Sequence, residues 1–268
     1  MATRASRVSG RRVIFDMAQL ALALAAIVWV VLNGAGAFGY NWQWYRVPPY
    51  IARVADGQII WGPLVRGLLV TLEISAWGLI LTLAIGLVTA LLRTSRSFAG
   101  RVLAGGYVQI IRNTPLLVQL YLFYFVLAPI LGIGRFWTGI LCLGFFEGSF
   151  AAEIFRAGIQ SIPKGQWEAS GSLGLGRYVT LRSVILPQAF QLMLPPLTGQ
   201  AVSLIKDSSI VSVIAVFDLT NEGRTIISDT FMSFEIWFTV AAIYLVLTIS
   251  LSAVAGHLER RVASYRFT

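Results

Sequence analysis

Cysteine and histidine are nearly missing from the 268 residues: Cys142 and His257 are the single representatives of their kinds. A disulfide framework is thereby excluded, and so is any His/Cys metal cluster supplied by this chain by itself. Charge is scarce as well. Asp, Glu, Lys and Arg make up 12% of the chain, against about 25% in a typical soluble domain. The sequence holds no GxxxxGKS/T loop to cradle nucleotide phosphates, no HExxH and no GxSxG. Low-complexity tracts and internal repeats are absent, so the inverted halves of many secondary carriers are not visible. If the chain works on a solute, the energy comes from an ion gradient or from another subunit.

What is present in excess is apolar surface. Apolar residues reach 57% and the mean hydropathy is +0.75, and the apolar runs are about 20 residues long, enough to cross a hydrocarbon layer of about 30 Å. The sequence therefore predicts an all-α integral membrane protein. Six crossings are expected: 13–32, 64–92, a broken stretch over 102–131, 136–159, 188–217 with interruptions, and 234–257. The first run is preceded by arginines and followed by Ala35, Gly36 and Ala37, as a cleaved signal would be. Its apolar length favours an uncleaved anchor instead.

The net charge of +9 would suggest nucleic acid in a soluble chain. Here the basic residues mark sidedness. Arg4, Arg7, Arg11 and Arg12 precede the first run, Arg93, Arg96 and Arg101 follow the second, Arg156, Lys164, Arg177 and Arg182 follow the fourth, and Arg260, Arg261 and Arg266 follow the last. The opposite side holds Arg46, Arg53, Arg135, Lys206 and Arg224, while Arg66 and Arg112 lie at or inside runs. The positive-inside rule then places both termini in the cytoplasm and excludes a nucleic-acid partner. The loop NWQWYRVPPY, with Trp42, Trp44, Tyr45, Tyr50 and Trp61, carries the aromatics of an outer membrane interface.

The basic stretch SIPKGQWEASGSLGLGRYVTLRSVILPQAF, over 161–190, is too polar for lipid. Ser161 is expected to cap a short helix with Pro163 in its first turn, Glu168 to sit early near the positive dipole end, and Gly174 to close the helix in a left-handed conformation. The spacing of Glu168, Ala169, Gly174, Val184, Leu186 and Pro187 resembles the EAA loop of ATP-binding-cassette importer permeases, with departures at Ser170 and Val184. RNTPLLVQLYLFY (112–124), AAEIFRAGIQSIPKGQ (151–166), LPQAF and LPPLTGQ (186–200) and IKDSSIVSVI (205–214) narrow the resemblance to polar amino-acid permeases of the histidine, glutamate and arginine type. It covers about 62–261 and leaves the first run and the aromatic loop outside.

What the resemblance implies is a type I importer in the bacterial cytoplasmic (inner) membrane, a five-helix core (62–268, with a coupling loop at about 160–187) preceded by an N-terminal part (1–61). Its partners would be a second permease subunit, identical or homologous, two cytoplasmic ATPase subunits and an external amino-acid-binding protein, all in a lipid bilayer. ATP would be used by the partner subunits and no cofactor bound by this chain. Gly165, Glu168, Ala169, Gly174 and Pro187 would carry the coupling. A gradient-driven secondary transporter or channel is the alternative.

Ionisable groups at membrane depth are expensive and hence functional candidates. Lys206, Asp207, Ser208, Glu153 and Arg112 are the candidate pathway residues, because a zwitterion needs both signs of charge. Simpler roles compete: a Glu153–Arg156 pair on one helix face, a Lys206–Asp207 pair at the outer surface, and an interfacial Arg112. Glu147 sits within Gly144-xxx-Gly148, a helix-packing pattern. Thr114-Pro115 reads as a helix start, and Pro195, Pro196 and Gly199 as an interruption pointing to the pathway.

Overall fold

The computed structural model describes residues 10–37 and 40–264. Arg4, Arg7 and Arg266 lie outside the described residues. Two compact units are present, dividing after Trp44. In the first, α1 (Gly10–Ala37) covers the first expected crossing, with its apolar stretch at Ile14–Val30.

The second unit begins with α2 (Pro48–Ile51) and an antiparallel hairpin of β1 (Ala52–Ala55) and β2 (Gln58–Trp61). This hairpin departs from the all-helical expectation. Its Asp56-Gly57 turn has positive φ at both residues, the backbone that matches strand twist in a two-residue turn. The segment belongs to the second unit because Val47 is buried with Leu64 and Leu219.

The helices are α3 (Pro63–Thr94), α4 (Phe98–Arg112), α5 (Leu116–Leu122), α6 (Ala128–Leu131), α7 (Arg135–Gln160), α8 (Lys164–Ser172), α9 (Arg177–Thr180), α10 (Leu186–Asp207), α11 (Leu219–Thr230) and α12 (Ser233–Ser264). A π-helical turn, Phe123–Leu127, joins α5 to α6. Among the described residues α3, α7 and α12 are long and apolar enough to cross a membrane. A fourth span results if α4 and the α5–α6 rod, bent by 111° at Asn113–Pro115, count as one. Six crossings are thus not all visible by length and composition. With Gln188, Gln191, Gln200, Lys206 and Asp207 along it, α10 is too polar to qualify.

Small residues set the packing. Gly144 lies against Leu81, Gly148 against Ile85, Gly86 against Ala151 and Ala152, and Arg93 pairs with Glu153, so α3 and α7 run side by side in the same direction. Backbones approach this closely only where no Cβ intervenes. The contacts of Gly158 with Met193 and of Gly139 with Val211, just beyond the end of α10, set α10 antiparallel to α7. In α7 61% of the most apolar window is buried and in α12 only 17%, so within this chain α7 is central and α12 peripheral.

Two boundaries differ from expectation. Pro115 caps α5, while the Thr114 hydroxyl donates back to the Ile110 carbonyl (2.9 Å). The buried Gln119 donates to the carbonyl oxygens of Ile111 (2.8 Å) and Thr114 (3.1 Å), tying the end of α4 to the start of α5. And α10 continues through Pro195 and Pro196, with the break displaced to the 3-10 segment Ser208–Ile214. The Thr198 hydroxyl donates to the Pro195 carbonyl (2.7 Å), so side chains satisfy backbone groups near the prolines.

The start of α11 is tied to two neighbouring helices. Asp218, fully buried, accepts from the Asn221 amide (2.9 Å), and the Thr71 hydroxyl of α3 accepts from the Leu219 amide (3.1 Å). Tyr244 of α12 contacts Thr220 (3.1 Å). Burial pushes the Asp218 carboxyl from 3.8 up to about 6, against hydrogen bonds that lower it. The folded chain therefore holds this proton more tightly than the unfolded one. Stability contributed at low pH is lost as pH rises from about 4 to about 6. Asp218→Asn keeps the cap and is expected to flatten that slope in thermal unfolding, whereas Asp218→Ala costs about 1 kcal/mol.

Candidate functional site

The polar loop after α7 is built around a well-anchored short helix. Ile162 is buried with Ile185, Ala189 and Met193, and Trp167 packs on the same cluster. Ser170 is buried and its hydroxyl donates to the Gln166 carbonyl (2.8 Å), while Gln188 of α10 reaches Gln166 across the loop (3.4 Å). One side of α8 is thus fixed to α10. The other presents Glu168, Ala169, Gly165 and Leu173, with Leu173 78% exposed and Tyr178 nearby at 70%.

Gly174 closes the helix at φ +72°, with its amide bonded to the Gly171 carbonyl (2.9 Å) and the Leu175 amide to the Ser170 carbonyl (3.1 Å). That left-handed closure is as expected. The N-terminal details differ. Pro163 occupies the cap position without a side-chain bond, and the Ser161 hydroxyl instead donates to the Gly158 carbonyl (2.8 Å), finishing α7. Ile162, drawn into the apolar cluster, pulls Ser161 back toward α7. Glu168 lies mid-helix, outside the first turn. Pro187 stands apart from α8, in the first turn of α10 after the π-helical stretch Leu181–Ile185. Lacking an amide hydrogen, proline leaves a carbonyl of the preceding turn unpaired, consistent with the widened turn there.

A cavity of about 520 Å³ lies between α4, α7 and α10, lined by Arg112, Phe150, Glu153, Leu192, Pro196 and Gln200 among others. A second, of about 330 Å³, shares Arg112 and Glu153 with it and adds Arg93, Gln109 and Asn113. Arg112 lies over the Phe150 ring, 4.8 Å from its centroid. Glu153 accepts from both Arg93 and Arg156, so the expected pair is a triad that also ties α3 to α7.

The structure therefore brings Arg112 and Glu153 together and sets the other candidates apart. Lys206 is exposed near the end of α10, and Ser208 is buried with its hydroxyl on the Ile205 carbonyl (2.8 Å). Asp207 acts on Glu147 from α10, and Gln200 of the same helix donates to the Glu147 carboxylate. Among the described residues no Lys206–Asp207 ion pair forms, because consecutive helical positions point in different directions. Gln200, Leu173 and Tyr178 were not singled out by sequence reasoning. For Gln200 the signal was its place four residues beyond Pro196, on one helix face.

The family described as the binding-protein-dependent transport system inner membrane component matches residues 82–264, a span holding α8, Glu153 and the whole of α10. The chain belongs to this family. The permease is 40% identical to the glutamine transport system permease protein GlnP of Escherichia coli K12 over 213 residues, covering 77% of this chain and 97% of that protein. A putative glutamine transport system permease protein of Rickettsia felis is 33% identical over 201 residues, covering 74% of this chain and 92% of that one. Among solved structures, a chain of an amino acid ABC transporter crystallised with histidines superposes at a TM-score of 0.70 and 38% identity, over 74% of this permease and 94% of that chain. An inward-facing MetNI methionine transporter chain, 22% identical with a TM-score of 0.63 over 75% of this chain and 96% of that one, shares the fold.

Proposed function

We propose that this permease imports a polar amino acid, glutamine or a close analogue, driven by ATP hydrolysed on partner ATPase subunits. The observation that carries the reading is α8: held on one side by Ile162, Trp167 and Ser170, it offers Gly165, Glu168, Ala169 and Leu173 on the other. An ATPase subunit docking on Glu168 and Leu173 moves α10 with it, because Gln166, Trp167 and Ser170 leave α8 little freedom of its own. The relatives' names, glutamine permeases and an amino acid ABC transporter, support the substrate class.

Within the membrane the reading assigns Arg112 to the substrate carboxylate, Glu153 to its ammonium, and Gln200 to an amide side chain. The cavity of about 520 Å³ has room for one amino acid and its water. Asp207, Ser208 and Lys206 would line the outer part of the same route. Six crossings with both termini in the cytoplasm complete the assembly, together with a second permease subunit and an external binding protein.

Uptake by the reconstituted complex tests this. Arg112→Ala is expected to raise the KM for glutamine about tenfold or more, as when a charged hydrogen-bond partner is removed, while basal ATPase activity persists. ATP-independent uptake by the pure chain, driven by an ion gradient, would replace the importer with a secondary carrier.

A further inference from the structure

At the end of the bundle opposite α8, a cavity of about 540 Å³ is lined by Arg46, Arg53, Arg66, Tyr45, Tyr50 and Trp61. We propose that it holds the phosphate headgroup of an anionic phospholipid. Three separate elements supply the guanidinium groups: Arg46 from a 3-10 turn, Arg53 from β1 and Arg66 from the first turn of α3. Among the described residues no carboxylate lines the cavity, and the charge of Glu222 acts on Arg66 from α11. Guanidinium forks match the paired oxygens of a phosphodiester, which makes arginine the favoured side chain for such groups.

Depth and apolar exposure decide in favour of a lipid. Pro63 opens a membrane-crossing helix of 32 residues, so Arg66 in its first turn stands where hydrocarbon gives way to headgroups. Ile60, paired with Arg53 across the hairpin and so on the same face, lines the cavity and is 41% exposed. Trp61, also in its wall, is 56% exposed and Tyr45 78%. A soluble anion would use the arginines and leave Ile60 and Trp61 in water. A phospholipid uses both, its phosphate among the guanidinium groups and its upper acyl carbons against Ile60 and Trp61.

The test is retention of lipid by the full chain, reconstituted in phosphatidylcholine with or without phosphatidylglycerol, extracted and weighed by native mass spectrometry. Phosphatidylglycerol should be retained over phosphatidylcholine. Arg53→Gln and Arg66→Gln should each lower that retention about fivefold, Arg53→Lys less so, and Arg96→Gln at the other end of α3 not at all. Ile60→Ser should weaken lipid retention without changing the charge. Equal retention of the two lipids overturns the proposal, as does retention indifferent to Arg53 and Arg66. Full displacement by inorganic phosphate, or by an acidic soluble protein, also overturns it, by showing that the acyl chains contribute nothing. Unchanged monodispersity of each variant separates a lost site from a lost fold.

Discussion

Glu168→Lys is expected to abolish ATP-driven uptake while leaving the permease inserted and folded. Glu168 is exposed in the middle of α8, where Glu and Lys have similar helix propensities, and it forms no part of the buried cluster that fixes the helix. The folded subunit therefore has little to lose from the exchange. An ATPase groove matched to a carboxylate meets an ammonium instead, and a like-charge contact at an interface costs several kcal/mol, enough to release the partner at working concentrations. Two measurements belong together: co-purification of the ATPase subunits, and glutamine uptake in proteoliposomes with internal ATP. Loss of both, with the variant still monodisperse in detergent, is the expected result. Full uptake by Glu168→Lys would remove α8 from the coupling path.

The second large effect concerns the fold itself. Gly86→Val places a branched side chain where a Cβ already falls 2.7 Å from the Cβ of Ala151 and 3.1 Å from the Ala152 amide nitrogen. Apolar carbons prefer about 3.5 to 4.0 Å, and the obstruction is the backbone of α7, which has no rotamer through which to yield. Since α3 and α7 form the central pair, separating them also strains the bridge from Arg93 to Glu153. Overpacking of this kind costs about 1 to 3 kcal/mol and sometimes more, so most Gly86→Val protein should fail to survive extraction as a monodisperse species. Gly106→Val is the control, because a Cβ there meets nothing within 4 Å. Equal yields of the two variants would show that the two helices separate at little cost.

The loop helix was legible because it obeys local rules. Lipid excludes a stretch as polar as 161–190, and Gly174 ends the helix by adopting a positive φ that other residues avoid. Its cap was misread because Ser161 has two backbone regions within reach, and burial of Ile162 decides between them. In the membrane the difficulty was greater. Lys206 and Asp207 looked like one site because they are adjacent in sequence, whereas Asp207 turns to Glu147 and Lys206 to the exposed surface.

By itself the sequence determined that this is a helical membrane protein, with basic residues grouped at the ends of its apolar runs and a polar loop whose spacing resembles the EAA loop of ATP-binding-cassette importer permeases. These follow from hydropathy, charge placement and backbone conformation, each readable within a few neighbouring residues. Only the tertiary structure decided which charges share a cavity. Arg112 and Glu153 line one cavity because α4 packs on α7, its Tyr107 beside Gly148 and donating to the Phe145 carbonyl, and because α10 continues through its prolines to bring Gln200 alongside. Contacts between helices depend on the rotation and approach of whole elements, which no local pattern records.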